Sequence, residues 1–243
     1  MFFPHLMNIK MSDRVLEIGP GAYPFWRSDC LADVFDETSD VDLTQFGGAE
    51  LNTKGKPLFR IVNNKLPFKD KSFDYVICSH VFEHVPVIDL PILVSEIMRV
   101  GKKAYIEFPR PMYDYVYNFD VHLNLLDIVE GTIVCIDKTH TPLSKLKDFQ
   151  TYSMSLRKRD LFSVDAYFEP IIAVGKEFIE SIPLKIVESE SDFWKIIFNN
   201  QYMVGTPSFI WKIQNKLHPL RIIKTIFGEK SREKYSDLLL NKL

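Results

Sequence analysis

The chain predicts an α/β fold, a doubly wound, Rossmann-like and mostly parallel sheet, on two observations. Five short, near-continuous apolar runs recur within the first 110 residues, which is how strands covered on both faces read. Between the fourth and fifth runs the apolar residues change to helical spacing, and strand, helix, strand in that order makes a parallel crossover unit.

In order, the runs are RVLEIG, CLADVF, LFRIVN, FDYVICSHV and KKAYIEFP. The helix falls in VPVIDLPILVSEIMRV, where Val87, Leu90, Val94, Ile97 and Met98 recur at helical spacing and Gly101 stands where a C-cap is expected. Only the nine residues Ala22 to Cys30 separate Gly21 from Leu31, which predicts a loop or a single turn after the first strand. An aromatic-rich insertion, about residues 111–150, follows the fifth strand. A cover over a substrate and ordinary packed structure both stay open for it. DAYFEPIIAVGKEFIESIPLKIVES reads as a helix and an edge strand. The main domain is placed at residues 1–205, with its core at 12–110, and a helical tail at 206–243, broken at Pro219 and Gly228. The tail carries eight basic against three acidic residues. It suits either peripheral contact with an anionic membrane surface or a helical hairpin packed on the domain or on a second copy, as in a homodimer.

With 243 residues, 46% hydrophobic and 26% charged, the composition is that of one ordinary folded domain with an appended segment. A net charge of −2 argues against nucleic acid as a partner, because neutralising phosphates needs an excess of Lys and Arg. Cys30, Cys78 and Cys135 are an odd number at wide spacing, which fits neither a disulfide framework nor paired zinc ligands. A reducing, cytoplasmic setting and no bound metal are therefore expected. No run approaches the roughly 20 apolar residues of a membrane span, and MFFPHLMNIK does not read as a signal peptide.

The loop after the first run carries the clearest ligand signal. Gly19 and Gly21 suit a tight turn where a ligand approaches the backbone closely. A dinucleotide fingerprint would place its third glycine at position 24, where this chain has Pro24 with no N–H to offer a pyrophosphate. Glu17 would repel a pyrophosphate but welcome a cationic, amine-bearing ligand. Asp36 lies nineteen residues beyond Glu17, near the separation of about 20 at which an acidic residue reaches a ribose in related nucleotide folds. S-adenosylmethionine has both a cationic end and a ribose diol. Asp33 is the next carboxylate in line if Asp36 is not the one.

VLEIGPG, an acidic residue at the end of the second run, and LPFKDKSFDYVICSHVFEHV together resemble the class I S-adenosylmethionine-dependent methyltransferases, in the branch with an LPF-x-D-x-SFD segment. The resemblance covers about residues 12–110 and departs at Tyr23, where the family has a third glycine. It implies that Glu17, Gly19 and Gly21 line the methionine end, that Asp36 holds the ribose, that Asn63 and Asn64 stand near the adenine, and that Ser79 and His80 lie beside the reacting methyl. EIGPGAYPF and EFPRPMYDYVYNFDVHLN are further similar to methyltransferases associated with bacterial surface glycans. That implies O-methylation of a sugar or sugar-linked acceptor. A small polar metabolite as acceptor, or a methyltransferase-like binding protein without turnover, are the alternatives.

Methyl transfer from a sulfonium needs alignment and exclusion of water, and a hydroxyl acceptor also needs a base. His122, in the insertion, and His80, at the end of the fourth run, are the candidates; histidine suits base duty near neutral pH. Glu83 and His84 read as structural residues at a helix start, and Tyr113, Tyr115 and Tyr117 as an apolar wall.

Overall fold

The computed structural model describes residues 3–34, 52–159 and 172–199. A six-stranded sheet is built from β1 (Val15–Ile18), β2 (Cys30–Asp33), β3 (Leu58–Arg60), β4 (Phe73–Ser79), β5 (Gly101–Pro109) and β8 (Ala173–Phe178), in the order β3-β2-β1-β4-β5-β8. The first five strands run parallel, and β8 closes the edge antiparallel to β5. All five apolar runs are strands, as expected. The strand order reverses between β1 and β4, whose register pairs Val15 with Tyr75 and Ile18 with Cys78.

Strand side chains alternate between the two faces. Leu16, Ile18, Val76, Cys78, Ala104, Ile106 and Phe108 share one buried cluster, against which α1 (Leu90–Val100) packs Leu90, Leu93, Ile97 and Val100. Each such side chain contributes roughly 1.5–3 kcal/mol by leaving water. Val15, Tyr75, Ile77 and Tyr105 form the other cluster, covered by Phe3, Met7, Ile9 and Phe25. Residues 20–29 form turns without a helix between β1 and β2, as their length predicts.

The LPFKDKSFD segment has a scaffold role. Arg99 of α1 donates to the carbonyls of Leu66 and Phe68 and to the Asp70 and Glu96 carboxylates, while the Leu66 N–H donates to Glu96. Phe68 packs edge-on to Phe59 and Phe73. These contacts clamp the β3–β4 connection to α1 and set where β4 begins. Gly101 caps α1 at φ −105°, so it is not the left-handed cap that a helix-ending glycine suggests. A Cβ there would run into Val76 Cγ2 of the neighbouring strand, and this close approach explains the glycine.

The insertion opens with α2 (Pro111–Tyr117) and continues as a hairpin of β6 (Asn124–Val129) and β7 (Thr132–Asp137), which turns at Glu130 and Gly131 with φ of 50° and 81°. β9 (Leu184–Val187) adds parallel to β7, giving a second, three-stranded sheet. Two further helices follow the hairpin and β9, α3 (Lys147–Lys158) and α4 (Glu190–Asn199), and Phe193 and Ile197 of α4 pack on Leu125, Val134 and Ile136. Of the region expected to be a helix and an edge strand, residues 165–171 lie outside the described residues, Ala173–Phe178 is the edge strand β8, and beyond Pro183 a further strand, β9, joins the second sheet. The tail at 206–243 lies outside the described residues. Among those described, no helix is long and apolar enough to cross a membrane.

Candidate active site

Ligands of doubly wound sheets sit beyond the carboxyl ends of the strands where the order reverses, here between β1 and β4. β1 ends in Gly19 and Gly21, with φ of +65° and +54°. The Gly19 N–H donates to the Ala32 carbonyl across the sheet at 2.9 Å, and a Cβ on Gly19 would overlap Val81 Cγ2. Both glycines are thus fixed by conformation, and Gly19 by space as well.

Glu17 is 5% exposed, and its Oε2 accepts from the Phe25 N–H at 2.8 Å and the Ser28 hydroxyl at 2.7 Å. The carboxylate therefore organises the 22–29 loop from behind. Burial raises its pKa against the opposing effects of those two donors and of Lys56. Lys56 donates to the Phe25 and Trp26 carbonyls, fastening the same loop from the other side. Tyr23 and Trp26, 78% and 73% exposed, project from the loop as open aromatic surface.

Asp36 lies outside the described residues. Asp33 closes β2, is buried, and accepts at Oδ1 from the Val34 N–H at 2.7 Å. Asn63 and Asn64, with φ of 52° and 58°, are the central pair of a tight turn closed by the Lys65 N–H on the Val62 carbonyl. Asparagine tolerates this left-handed conformation better than most residues, so the backbone alone accounts for both side-chain types.

At the end of β4, the Ser79 hydroxyl donates to Glu107 Oε1 at 2.9 Å. His80 follows at φ 58°, a left-handed conformation that is uncommon outside glycine. Its Nδ1 lies 3.1 Å from Glu83 Oε1 and its Nε2 3.3 Å from Glu107 Oε1. Burial alone would lower the His80 pKa, but the two carboxylates prevail and raise it to about 9. Both ring nitrogens face carboxylates, which favours the protonated ring and weighs against base duty at this position. Burial likewise opposes ionisation of Glu107, yet His80 and the Tyr105 hydroxyl bring its pKa down to about 2. Glu107 is fully buried and also receives the Phe3 N–H at 3.0 Å.

The insertion brings His122 to the same end of the sheet. Its Nδ1 meets Asp114 Oδ2 at 2.8 Å, and Asp114 Oδ1 accepts from Lys138 at 3.2 Å. His122 packs against Phe119 and edge-on to His84, with centroids 5.0 and 5.1 Å apart. Glu83 and His84 lie in a 3-10 turn over Phe82–His84, before α1 rather than at its start. Asn124 donates to the Phe82 and Val85 carbonyls and the Leu123 N–H to the Glu83 carbonyl, tying that turn to the insertion. Tyr113 and Tyr117 stack with Phe119 in a packed cluster, whereas Tyr115 turns away and donates to Glu190.

Sequence reasoning passed over Glu107 and Asp114. Their signal was an acidic residue inside an apolar string, IEF and MYDYVY, which reads as a tolerated exception until the buried partners are seen.

Residues 29–104 match a family model described as "Methyltransferase domain". No curated protein matches the chain. Among solved structures it is similar to a SAM-dependent methyltransferase from Archaeoglobus fulgidus, with 21% identity over 63% of each chain and a TM-score of 0.36. It is similar to the YcgJ protein from Bacillus subtilis, with 23% identity, 46% of this chain, 52% of that one and a TM-score of 0.33. It is also similar to the PH0226 protein from Pyrococcus horikoshii, with 21% identity, 41% of this chain, 47% of that one and a TM-score of 0.31. The chain spans about half the length of the last two. The matched segment runs from β2 through the start of β5, so the likeness to the methyltransferase domain falls on the parallel sheet from its second strand onward.

Proposed function

We propose that the protein is an S-adenosylmethionine-dependent methyltransferase that methylates a hydroxyl of a sugar or sugar-linked acceptor in surface glycan synthesis. The observation that carries the cofactor assignment is the β1 loop: two positive-φ glycines at the point of strand-order reversal, backed by a buried carboxylate and interrupted by Pro24 where a pyrophosphate would need a donor. The methyltransferase-domain match supports it. Glu17 sets the loop that receives the methionine end, Asp36 takes the ribose, Asn63 and Asn64 the adenine side, and Ser79 and His80 flank the reacting methyl.

In the transfer, an acceptor oxygen lone pair forms the bond to the methyl carbon, and the carbon–sulfur pair returns to sulfur to give S-adenosylhomocysteine. The hydroxyl proton passes to His122, oriented by Asp114. The sugar assignment is supported by the resemblance of the β1 loop and the insertion, and by Tyr23 and Trp26, whose open rings suit the apolar faces of a pyranose.

Calorimetry with S-adenosylmethionine and S-adenosylhomocysteine, followed by transfer of labelled methyl to sugar nucleotides, oligosaccharides and small polar metabolites, tests both levels. Binding of both cofactor forms with label on a sugar is expected. Label only on a metabolite would overturn the acceptor, and binding of neither cofactor form would overturn the enzyme.

A further inference from the structure

Glu83, His84 and His122 come from two separate segments, yet each offers a ligand atom within 4.8 Å of the others. The orientation of all three is that of ligands. His84 Nδ1 sits 2.9 Å from the Val121 carbonyl, which only accepts, so Nδ1 bears the proton and Nε2 the lone pair. His122 Nδ1 is held in the same way by Asp114, which Lys138 fixes in turn. A second-ring nitrogen committed to a carbonyl or a carboxylate is the outer-shell arrangement of metal-bound imidazoles. Glu83 is 1% exposed; its Oε1 faces His80, while its Oε2 is buried with no hydrogen-bond partner among the described residues. An unpaired buried carboxylate oxygen is costly, and a cation between it and the two imidazoles would remove that cost.

We propose that Glu83, His84 and His122 form a three-ligand site for a divalent transition-metal ion. Two imidazoles and one carboxylate suit zinc, cobalt, manganese or iron, whereas magnesium and calcium prefer all-oxygen sets. Three protein ligands leave a coordination position open. Ligands about 2.0–2.1 Å from an ion in tetrahedral arrangement stand about 3.4 Å apart, so with all three atoms within 4.8 Å of one another no pair has to close by more than about 1.4 Å on loading. Around it, Glu107 and Asp114 supply negative charge, and His80 and Lys138 positive charge. The proposal departs from the sequence expectation of no metal, which rested on spacing: His122 lies 38 positions beyond His84, and the insertion closes that distance.

Ion binding stands independently of methyl transfer; its role rests on that reading. Glu83 of the site lies two residues beyond Val81, which packs over Gly19 of the cofactor loop. A bound ion would hold an acceptor oxygen next to the methyl and lower its affinity for the proton. With the ion bound, the His122 lone pair is committed to it and no longer takes the proton, which leaves to water; His122 acts as the base only in the metal-free protein.

The test is titration of chelator-stripped full-length protein with Co²⁺, followed by ligand-field absorption, and competition by Zn²⁺, with S-adenosylhomocysteine calorimetry on the same preparation. One equivalent of Co²⁺ with a low-symmetry, intense spectrum is expected, displaced by Zn²⁺. His84→Ala and His122→Ala should each lose at least about tenfold in affinity, and Asp114→Asn about 10–100-fold as an outer-shell change. His140→Ala, at an exposed histidine, should match the wild type. Circular dichroism checks that each variant is folded, and Glu83→Gln stands in if either alanine variant is not. No stoichiometric complex, or equal affinity in the site variants and the His140 control, overturns the site. Metal binding without S-adenosylhomocysteine binding leaves the site standing and overturns the methyl-transfer reading; the reverse result overturns only the site.

Discussion

Gly19→Ala isolates the backbone geometry on which the cofactor loop depends. At φ +65°, an L-residue with a Cβ pays about 1–2 kcal/mol for the left-handed conformation. The new methyl would also overlap Val81 Cγ2, and overpacking of a tight contact costs about 1–3 kcal/mol. The sum is about 2–5 kcal/mol. At about 2–4 °C per kcal/mol for a domain of this size, a mid-range loss of about 3.5 kcal/mol lowers the melting temperature by roughly 7–14 °C. Thermal and urea unfolding measure the loss, and calorimetry measures S-adenosylhomocysteine affinity, which should also fall. Adding Val81→Ala separates the two contributions: it should recover the overlap, about 1–3 kcal/mol as a coupling energy, but not the backbone cost. A Gly19→Ala protein within about 0.5 kcal/mol of wild type, or a double mutant with no coupling, refutes the reasoning.

The other expectations concern buried charge and the insertion. Glu17 has a raised folded pKa, so the stability it contributes is complete below its unfolded value near 4.5 and is lost as pH rises through the folded value. Glu17→Gln should therefore melt at or above the wild-type temperature at pH 7–8 while binding S-adenosylmethionine more weakly; a clear drop in melting temperature contradicts this. Glu107 is the opposite case: its folded pKa of about 2 against 4.5 unfolded gives stability present above pH 4.5 and lost as pH falls toward 2. The 2.5-unit difference is about 3 kcal/mol, counted once because His80 reports the same ion pair. Glu107→Gln should lose that increment at pH 7, and the gap to wild type should shrink below pH 4.5 in acid-unfolding curves. Arg110 grips buried Asp127 of β6 through both carboxylate oxygens at 2.9 and 3.0 Å; Arg110→Met should cost about 3–5 kcal/mol in urea unfolding by taking the guanidinium away from that buried carboxylate, and a loss under about 1 kcal/mol would show the pair to be dispensable. His122→Ala should lower turnover far more than S-adenosylmethionine affinity, and wild-type rates would reduce it to a packing residue.

The parallel core was legible because β1, β2, β4 and β5 are buried on both faces, and such strands must be nearly continuous apolar runs. In the stretch from Ala173 to Val187 one edge strand was legible but not the second strand, β9, because EFIESIPLKIV offers apolar residues at mixed spacing. What decides it is pairing with β5 and β7, and local periodicity carries no record of partners. The hairpin of β6 and β7 was faint for a related reason: its turn uses Glu130 at positive φ in place of the Asn or Asp that usually marks such a turn.

Gly19 and Gly21 could be found from spacing because a tight turn constrains neighbouring residues. Glu107, Asp114 and the Glu83–His84–His122 cluster could not, since what defines them is a meeting of strand ends and insertion. His80 was legible as a residue, but its two carboxylate neighbours were not, because Glu83 and Glu107 come from a turn and a different strand. LPFKDKSFD is the reverse case: the motif most specific for the resemblance shows its contacts as a clamp on α1.

The most direct test of the account is a crystal structure with S-adenosylhomocysteine bound. The account predicts the homocysteine end against Gly19–Gly21, the ribose at the carboxyl end of β2, and the sulfur directed toward His80 and His122. A ligand seated elsewhere on the sheet, or a sulfur facing away from those histidines, would contradict it.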